Sequence, residues 1–158
     1  MTKDPHEVGR RDGFVISTDP ALLDLAMIHD FLANRSYWAA GRSPEVVRRA
    51  VEHSLCFGLY DGDRQAGFAR VVTDRATFAW LCDVFVLEGY RGRGLGKWLV
   101  GCVLAHPALQ GLRRILLGTR DAHGLYERHG FRALTDPGRF MELFRPTASA
   151  NSPPRGQP

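Results

Sequence analysis

From Ala79 to Leu87 the chain is apolar almost without a break, and directly behind this run Gly92, Gly94 and Gly96 alternate with other residues. The apolar run suits a strand covered on both faces. From Leu95 the spacing changes: Leu95, Leu99, Cys102 and Val103 fall on one helical face. A buried strand therefore passes through glycines into an amphipathic helix, with Arg91, Arg93 and Lys97 interleaved. Such a junction is a place to hold phosphate. The first N–H groups of the helix point outward and carry the positive end of the helix dipole. Glycine lets the backbone approach a ligand closely.

The rest of the chain bounds what surrounds this junction. Its 158 residues suggest one domain. A hydrophobic fraction of 44% and a charged fraction of 24% are those of an ordinary globular chain. No apolar run approaches the about 20 residues of a membrane span, and the first residues carry no signal core, so cytoplasmic is the default expectation, with no membrane partner. Cys56, Cys82 and Cys102 each lie in an apolar run and read as reduced core thiols, with no disulfide framework and no metal site. The net charge is +4, carried almost entirely by arginine. It favours an anionic cofactor. The arginines are dispersed, with no basic helix or aromatic RNA-binding motif, so no nucleic-acid partner is expected.

Taken in order, residues 1–12 are polar and expected to be flexible, 13–146 form the single domain, and 147–158, rich in Ser, Pro and Gly, form a disordered tail. Gly13–Thr18 reads as a first strand. Asp19-Pro20 starts a helix that runs to about Asn34, and Ser43-Pro44-Glu45 starts a second that runs to about His53. Between them the loop from Arg35 to Gly41 carries Tyr37 and Trp38. Leu55–Tyr60 and Ala66–Val72 form a hairpin about an Asp-Gly turn. A strand over Thr77–Leu87 follows, then the helix from Leu95 to about Ala105, stopped by Pro107. Ile115–Thr119 is a buried strand. Asp121 can cap a short helix over Ala122–His129, closed by Gly130. Phe131–Leu134 and Phe140–Phe144 are the expected last strands.

Two common phosphate fingerprints fail at the glycine junction. Walker A needs glycine where Arg91 stands, and Trp98 follows Lys97 where Ser or Thr should. The dinucleotide pattern beginning at Gly92 needs glycine at Lys97. What remains, Arg91-x-x-Gly94-x-Gly96, resembles the pyrophosphate loop of the GCN5-related N-acetyltransferases (GNAT), Q/R-x-x-G-x-G/A. Downstream, Leu125-Tyr126-Glu127-Arg128-His129-Gly130-Phe131 resembles the L-Y-x-x-x-G-F segment of the same family. The two signatures stand in the family order across Thr77–Phe131. The Asn34–Gly41 segment is also similar to one recurring in a little-characterised bacterial subgroup.

The resemblance implies an α/β fold with a twisted, mixed, mostly antiparallel sheet of six to seven strands and about four helices, splayed between the strand over Thr77–Leu87 and the next. It implies acetyl-CoA as co-substrate and no metal. Backbone groups of Val84, Phe85 and Val86 would bond the cofactor arm. The N–H of Phe85 or Val86 would polarise the thioester carbonyl, worth about 3 kcal/mol. Arg91, Gly92, Arg93, Gly94, Leu95, Gly96 and Lys97 would hold the pyrophosphate, and Tyr126 would meet the leaving sulfur. With an ordinary pKa of about 10 against about 8.5 for a thiol, a tyrosine keeps its proton at neutral pH. Relatives often carry Asn where Thr119 stands, and a hydroxyl can partly substitute.

For the general base, Asp83 is the first candidate, because a carboxylate inside an apolar strand needs a partner or a task. Pairing with an arginine or capping a loop is the equal alternative. His123 can relay a proton and contact the acceptor, or be a surface or structural residue. Tyr37 and Trp38 border the acceptor pocket by resemblance, or pack in the core. The expected function is acetyl-CoA-dependent N-acetylation of a primary amine on a small molecule or peptide, through a ternary complex. The alternative is a non-catalytic CoA-binding module. The acceptor and the oligomeric state stay open, homodimers being common among relatives.

Overall fold

The computed structural model describes residues 4–146. Six strands form one sheet in chain order: β1 (Glu7–Arg11), β2 (Phe14–Ser17), β3 (Leu55–Asp61), β4 (Arg64–Thr73), β5 (Phe78–Val86) and β6 (Arg114–Leu116). All neighbours are antiparallel except β5 and β6, which run parallel and are joined through α3 (Leu95–Ala105). On one face α3 packs Leu95, Leu99 and Val103 against Phe57, Leu59, Val71 and Leu81. On the other, α1 (Leu25–Arg35) and α2 (Pro44–Glu52) cover Cys56, Phe68 and Phe85. Burial on both faces explains why β3 and β4 show no polar alternation. A short α4 (His123–Glu127) follows β6.

The sequence signals act where expected in most elements. Ser43 caps α2 by accepting from Val46 N–H, with Pro44 at the first position. Gly62, at φ 57°, makes the two-residue turn between β3 and β4. Asp74 accepts from the N–H groups of Ala76, Thr77 and Phe78 and turns β4 into β5.

Four expectations are corrected. The segment expected to be flexible contains β1, which pairs with β2 from Arg11↔Phe14 to Glu7↔Ser17 across a bulge; its polar side chains mark an edge strand rather than a frayed end. The first helix is two pieces. Asp19 caps a single 3-10 turn, Pro20–Leu22, the chain extends at Leu23, and Asp24 then caps α1 through Met27 N–H. Asp24 N–H itself donates to Gln65 Oε1 at 2.8 Å, which fixes the break. Asp121 does not cap α4; the Ala122 N–H is taken by Thr119 Oγ1 at 3.0 Å. Phe131–Leu134 and Phe140–Phe144 are irregular. They have strand composition but no strand beside them, and Met141 is 98% exposed. The expected tail over 147–158 lies outside the described residues.

The decisive local feature is a bulge in β5. Phe68 pairs with Phe85, but Arg70 pairs with Cys82, so β5 carries one extra residue across this step. Asp83 lies in it at φ 52°, the left-handed region that aspartate tolerates better than most residues. The extra residue reverses the strand's parity. Before it, Ala79 and Leu81 face α3; after it, Val84 and Val86 pack on that side, and Phe85 turns to α1, where its ring stacks on Phe31 at 3.8 Å.

The pairing beside the bulge is tight. A Cβ placed on Gly67 would stand 2.9 Å from the Phe85 carbonyl oxygen and 3.1 Å from Leu59 Cδ2. Gly67→Ala is expected to destabilise the protein by about 1–3 kcal/mol. A lower urea midpoint at unchanged slope is the measurement that checks it.

Candidate active site

β5 and β6 share only three register pairs, Phe78↔Arg114 to Trp80↔Leu116, and then part. Past Trp80 the outer rim of β5 therefore faces a cleft of about 880 Å³. Which groups it offers follows from alternation. Leu87 N–H donates to Ala66 O at 2.8 Å, so Leu87 and Phe85 turn their peptide groups toward β4. Val86 turns its own outward. Its carbonyl accepts from Arg91 Nε at 2.9 Å, which leaves the Val86 N–H as the free donor. Of the two N–H groups expected to polarise a carbonyl, the geometry thus favours Val86 over Phe85.

The glycine junction continues this rim. Glu88–Tyr90 form a 3-10 turn, Gly92 and Gly94 sit at φ 80° and 71°, and Gly94 is the N-cap of α3 with no side chain closing the helix end. The N–H groups of Leu95, Gly96 and Lys97 are left for a ligand. A Cβ on Gly96 would meet only Val86 Cγ2, at 3.8 Å, which explains why alanine is allowed there in the resembling motif. Arg91, Gly92 and Gly94–Gly96 line the cleft; Arg93 and Lys97 are exposed beside it. Arg11 Nη2 of β1 donates to the Arg93 carbonyl at 3.1 Å, and its guanidinium lies over Trp98, 5.0 Å from the ring centre. This tie escaped the sequence reading because β1 did.

Across the cleft stand Thr119 and Tyr126. The Leu-Tyr-x-x-x-Gly-Phe segment closes on itself: Gly130 is at φ 88°, Phe131 N–H donates to Tyr126 O at 3.2 Å, and the two rings pack edge to face. Burial, with smaller contributions from Tyr37 and Cys82, pushes the Tyr126 hydroxyl up to about 12. Thr119 Oγ1 accepts from Ala122 and so keeps its own proton to donate. His123 is exposed and not on the cleft wall.

Tyr37 and Trp38 do line the cleft. Their loop is pinned: Ser36 Oγ donates to Leu32 O and accepts from Ala39 N–H, and Gly41 N–H donates to Ala33 O. Tyr37 Oη accepts from Arg120 N–H at 2.9 Å, beneath the Arg120 guanidinium. Trp38 Nε1 donates to Asp83 Oδ1 at 2.9 Å.

Asp83 is buried and committed. Besides Trp38 it accepts from Arg70 Nε at 2.8 Å and from Arg42 Nη1 at 3.3 Å. A carboxylate shared by two guanidiniums and an indole has little lone-pair capacity left for a substrate proton. Of the two readings open for it, these contacts favour ion pairing over the base role. Arg42 and Arg70 were not singled out in the sequence. Arg70 could have been, since it interrupts an apolar run as Asp83 does; Arg42, in a polar loop, gives no such signal. Burial pushes the Cys82 thiol up to about 11 and Cys56 up to about 12, so neither is a nucleophile at neutral pH. Among the described residues no group of three or more His, Cys, Asp or Glu is placed to hold a metal, and no helix is long and apolar enough to cross a membrane.

Comparison with known proteins agrees with this architecture. Residues 24–131 match the model of the acetyltransferase (GNAT) family. The crystal structure of a protein of Xanthomonas campestris pv. campestris assigned to that family is 48% identical, covering 90% of this chain and 100% of that one, with a TM-score of 0.85. A protein of Gibberella zeae named as an acetyltransferase is 33% identical over 75% of this chain and 78% of its own. Serotonin N-acetyltransferase 2, chloroplastic, of Oryza sativa subsp. japonica is 29% identical over 84% of this chain and 68% of its own. The chain belongs to the GNAT family of acetyltransferases, whose members generally use acetyl-CoA.

Asp83→Asn keeps the side-chain shape and the tolerance of a left-handed backbone but leaves Arg70 facing no charge. Breaking a buried pair in this way is expected to cost about 3–5 kcal/mol. Chemical denaturation of the variant measures it; a loss below about 1 kcal/mol would show that the cluster does not anchor the bulge.

Proposed function

We propose that the protein is an acetyl-CoA-dependent N-acetyltransferase that moves an acetyl group to a primary amine by direct attack, with both substrates in the cleft together. The observation that carries this reading is the open rim of β5, with an outward Val86 N–H, running into the uncapped start of α3. The two places are on one continuous wall. The rice relative, named a serotonin N-acetyltransferase, supports an amine as acceptor.

The residues present fit acetyl-CoA. The unpaired rim at Val84–Val86 suits an amide-bearing arm, and the open helix start suits a pyrophosphate. When bound, acetyl-CoA supplies a thioester whose acetyl carbon is open to attack. The chain then has four tasks. The N–H groups of Leu95, Gly96 and Lys97, with Arg91, Arg93 and Lys97 beside them, hold the pyrophosphate. Backbone groups at Val84 align the arm, with the Thr119 hydroxyl opposite. The Val86 N–H faces the charge that develops on the acetyl oxygen, worth about 3 kcal/mol for one well-placed donor. Tyr126 holds a proton at Oη for the departing sulfur. Asp83 enters as the anchor of Trp38 and of the two arginines.

Purified protein is expected to gain thermal stability with acetyl-CoA, by about 2.7 kcal/mol at a hundredfold excess over Kd. Gly94→Glu removes the gain, because glutamate is strained at φ 71° and brings a carboxylate to the phosphate position. A folded wild-type protein with no shift would overturn the reading.

Tyr126→Phe is expected to lower kcat about a hundredfold with the acetyl-CoA shift unchanged; equal kcat would remove Tyr126 from the mechanism. The hydroxyl is pushed up to about 12 from an ordinary 10.0, so the folded state favours the protonated form. Its contribution to stability is complete below pH 10 and is lost as pH rises through 12. Turnover is accordingly expected to show no tyrosine-linked decline below about pH 11, which a pH–rate profile checks against the Tyr126→Phe variant.

A further inference from the structure

The part of the cleft away from the glycine junction is lined by arginine. Arg35, Arg42, Arg70 and Arg120 line it, and its only carboxylates among the described residues are Asp83 and Asp121. Arg35 is neutralised from outside the cleft, by Asp30 at 2.6 Å. Asp83 carries one negative charge against two guanidiniums, which leaves an excess positive charge beside Trp38.

The two arginines on Asp83 are not equivalent. Arg70 donates through Nε to Asp83 and through Nη1 to Ser54 Oγ at 3.1 Å, and its side chain is 12% exposed. Arg42 reaches Asp83 through Nη1 alone, at 3.3 and 3.5 Å, and its side chain is 26% exposed. Its Nε and Nη2 have no hydrogen-bond partner among the described residues. Its backbone is nevertheless held on both sides: its N–H donates to Ala39 O at 3.1 Å, and its carbonyl accepts from His29 Nε2 at 3.0 Å. Arg42 thus lines the cleft from a fixed point with two guanidinium nitrogens uncommitted.

We infer that the acetyl acceptor is an amine that also carries an anionic group, carboxylate or phosphate, and that Arg42 binds this group; the inference rests on the acetyl-transfer reading above. A guanidinium offers paired donors that match the oxygens of either anion. A cleft lined by one sign of charge concentrates ligands of the other. The same charge serves the chemistry. Attack needs the neutral amine, and nearby cations lower the pKa of an ammonium group. The acceptor then sheds its proton more easily at neutral pH, and the commitment of Asp83 to ion pairing leaves this field as the means of promoting that loss. The rings of Tyr37 and Trp38 lie on the same wall and suit the apolar body between amine and anion.

The test is thiol release from acetyl-CoA with matched acceptors. Tryptophan is compared with tryptamine, glutamate with its diamide, an amino-sugar phosphate with the free amino sugar, and spermidine serves as a polycation. The anionic member of a pair is expected to have at least tenfold higher kcat/KM, and the carboxylate and phosphate arms identify which anion is used. Arg42→Gln is expected to raise KM for that acceptor about 10–100-fold, as loss of a charge-assisted hydrogen bond does, with the acetyl-CoA thermal shift little changed. The neutral partner's KM should not move, and Arg42→Lys, which keeps the charge and the packing, should recover part of the loss. Preference for neutral or cationic members, an Arg42→Gln effect equal on both members of a pair, or no acetylation of any amine by protein that binds acetyl-CoA would each overturn the inference. Absence of the acetyl-CoA shift in the unaltered protein would be a different failure, that of the acetyl-transfer reading, seen before any acceptor is added.

Discussion

Ion pairing at Asp83 and the backbone shape beneath it depend on each other. A left-handed residue within a strand is costly for most side chains, and a buried carboxylate is costly without cations. Here the two costs fall on one residue and share one remedy. The bulge aims the carboxylate at Arg70, Arg42 and Trp38, and those three donors hold the bulge in place. Because the bulge reverses the parity of β5, it also decides that Phe85 packs under α1 and that Val84 and Val86 belong to the side facing α3. The orientation of the β5 backbone along the cleft follows from this one cluster.

Much of the architecture was legible because it depends on short-range chemistry. The helix from Leu95 to Ala105 has an apolar face, glycines at its start and a proline after it, and it forms over those residues. The second N-terminal helix carries its own cap in Ser43-Pro44. The hairpin turn is written in Asp61-Gly62. What escaped depends on contacts distant in sequence. Nothing local marks Glu7–Arg11 as a strand; its partner is Phe14–Ser17, and Arg11 finds its use at Arg93. The break between Pro20–Leu22 and α1 is set by Gln65, on another strand. Phe140–Phe144 has strand composition without a neighbour to pair with, and composition alone does not make a ladder.

The candidate site divides in the same way. The glycine loop and the Tyr126 segment are contiguous motifs, and both line the cleft. The charged cluster is assembled from a loop, two strands and a helix-flanking turn. Of its charged members only Asp83 stood out in the sequence, as a charge inside an apolar run. Its partners needed the register that sets Arg70 opposite Cys82, and the turn that sets Arg42 before the cap of α2. His123 is near Tyr126 in sequence, but it is the first residue of a five-residue helix and lies exposed, outside the cleft lining.

The parting of β5 from β6 has one more consequence. It creates a strand edge one strand in from the end of the sheet, with unpaired backbone groups of the kind that recruit other chains into ladders. Three features set this edge apart from an open one. It lies at the back of a cleft rather than on the perimeter. The Arg91 side chain already occupies the Val86 carbonyl. The arginines opposite surround the approach with charge. A second strand laid along this rim would meet a backbone carbonyl already taken and a row of charged side chains, so the opening in the sheet is a narrow one.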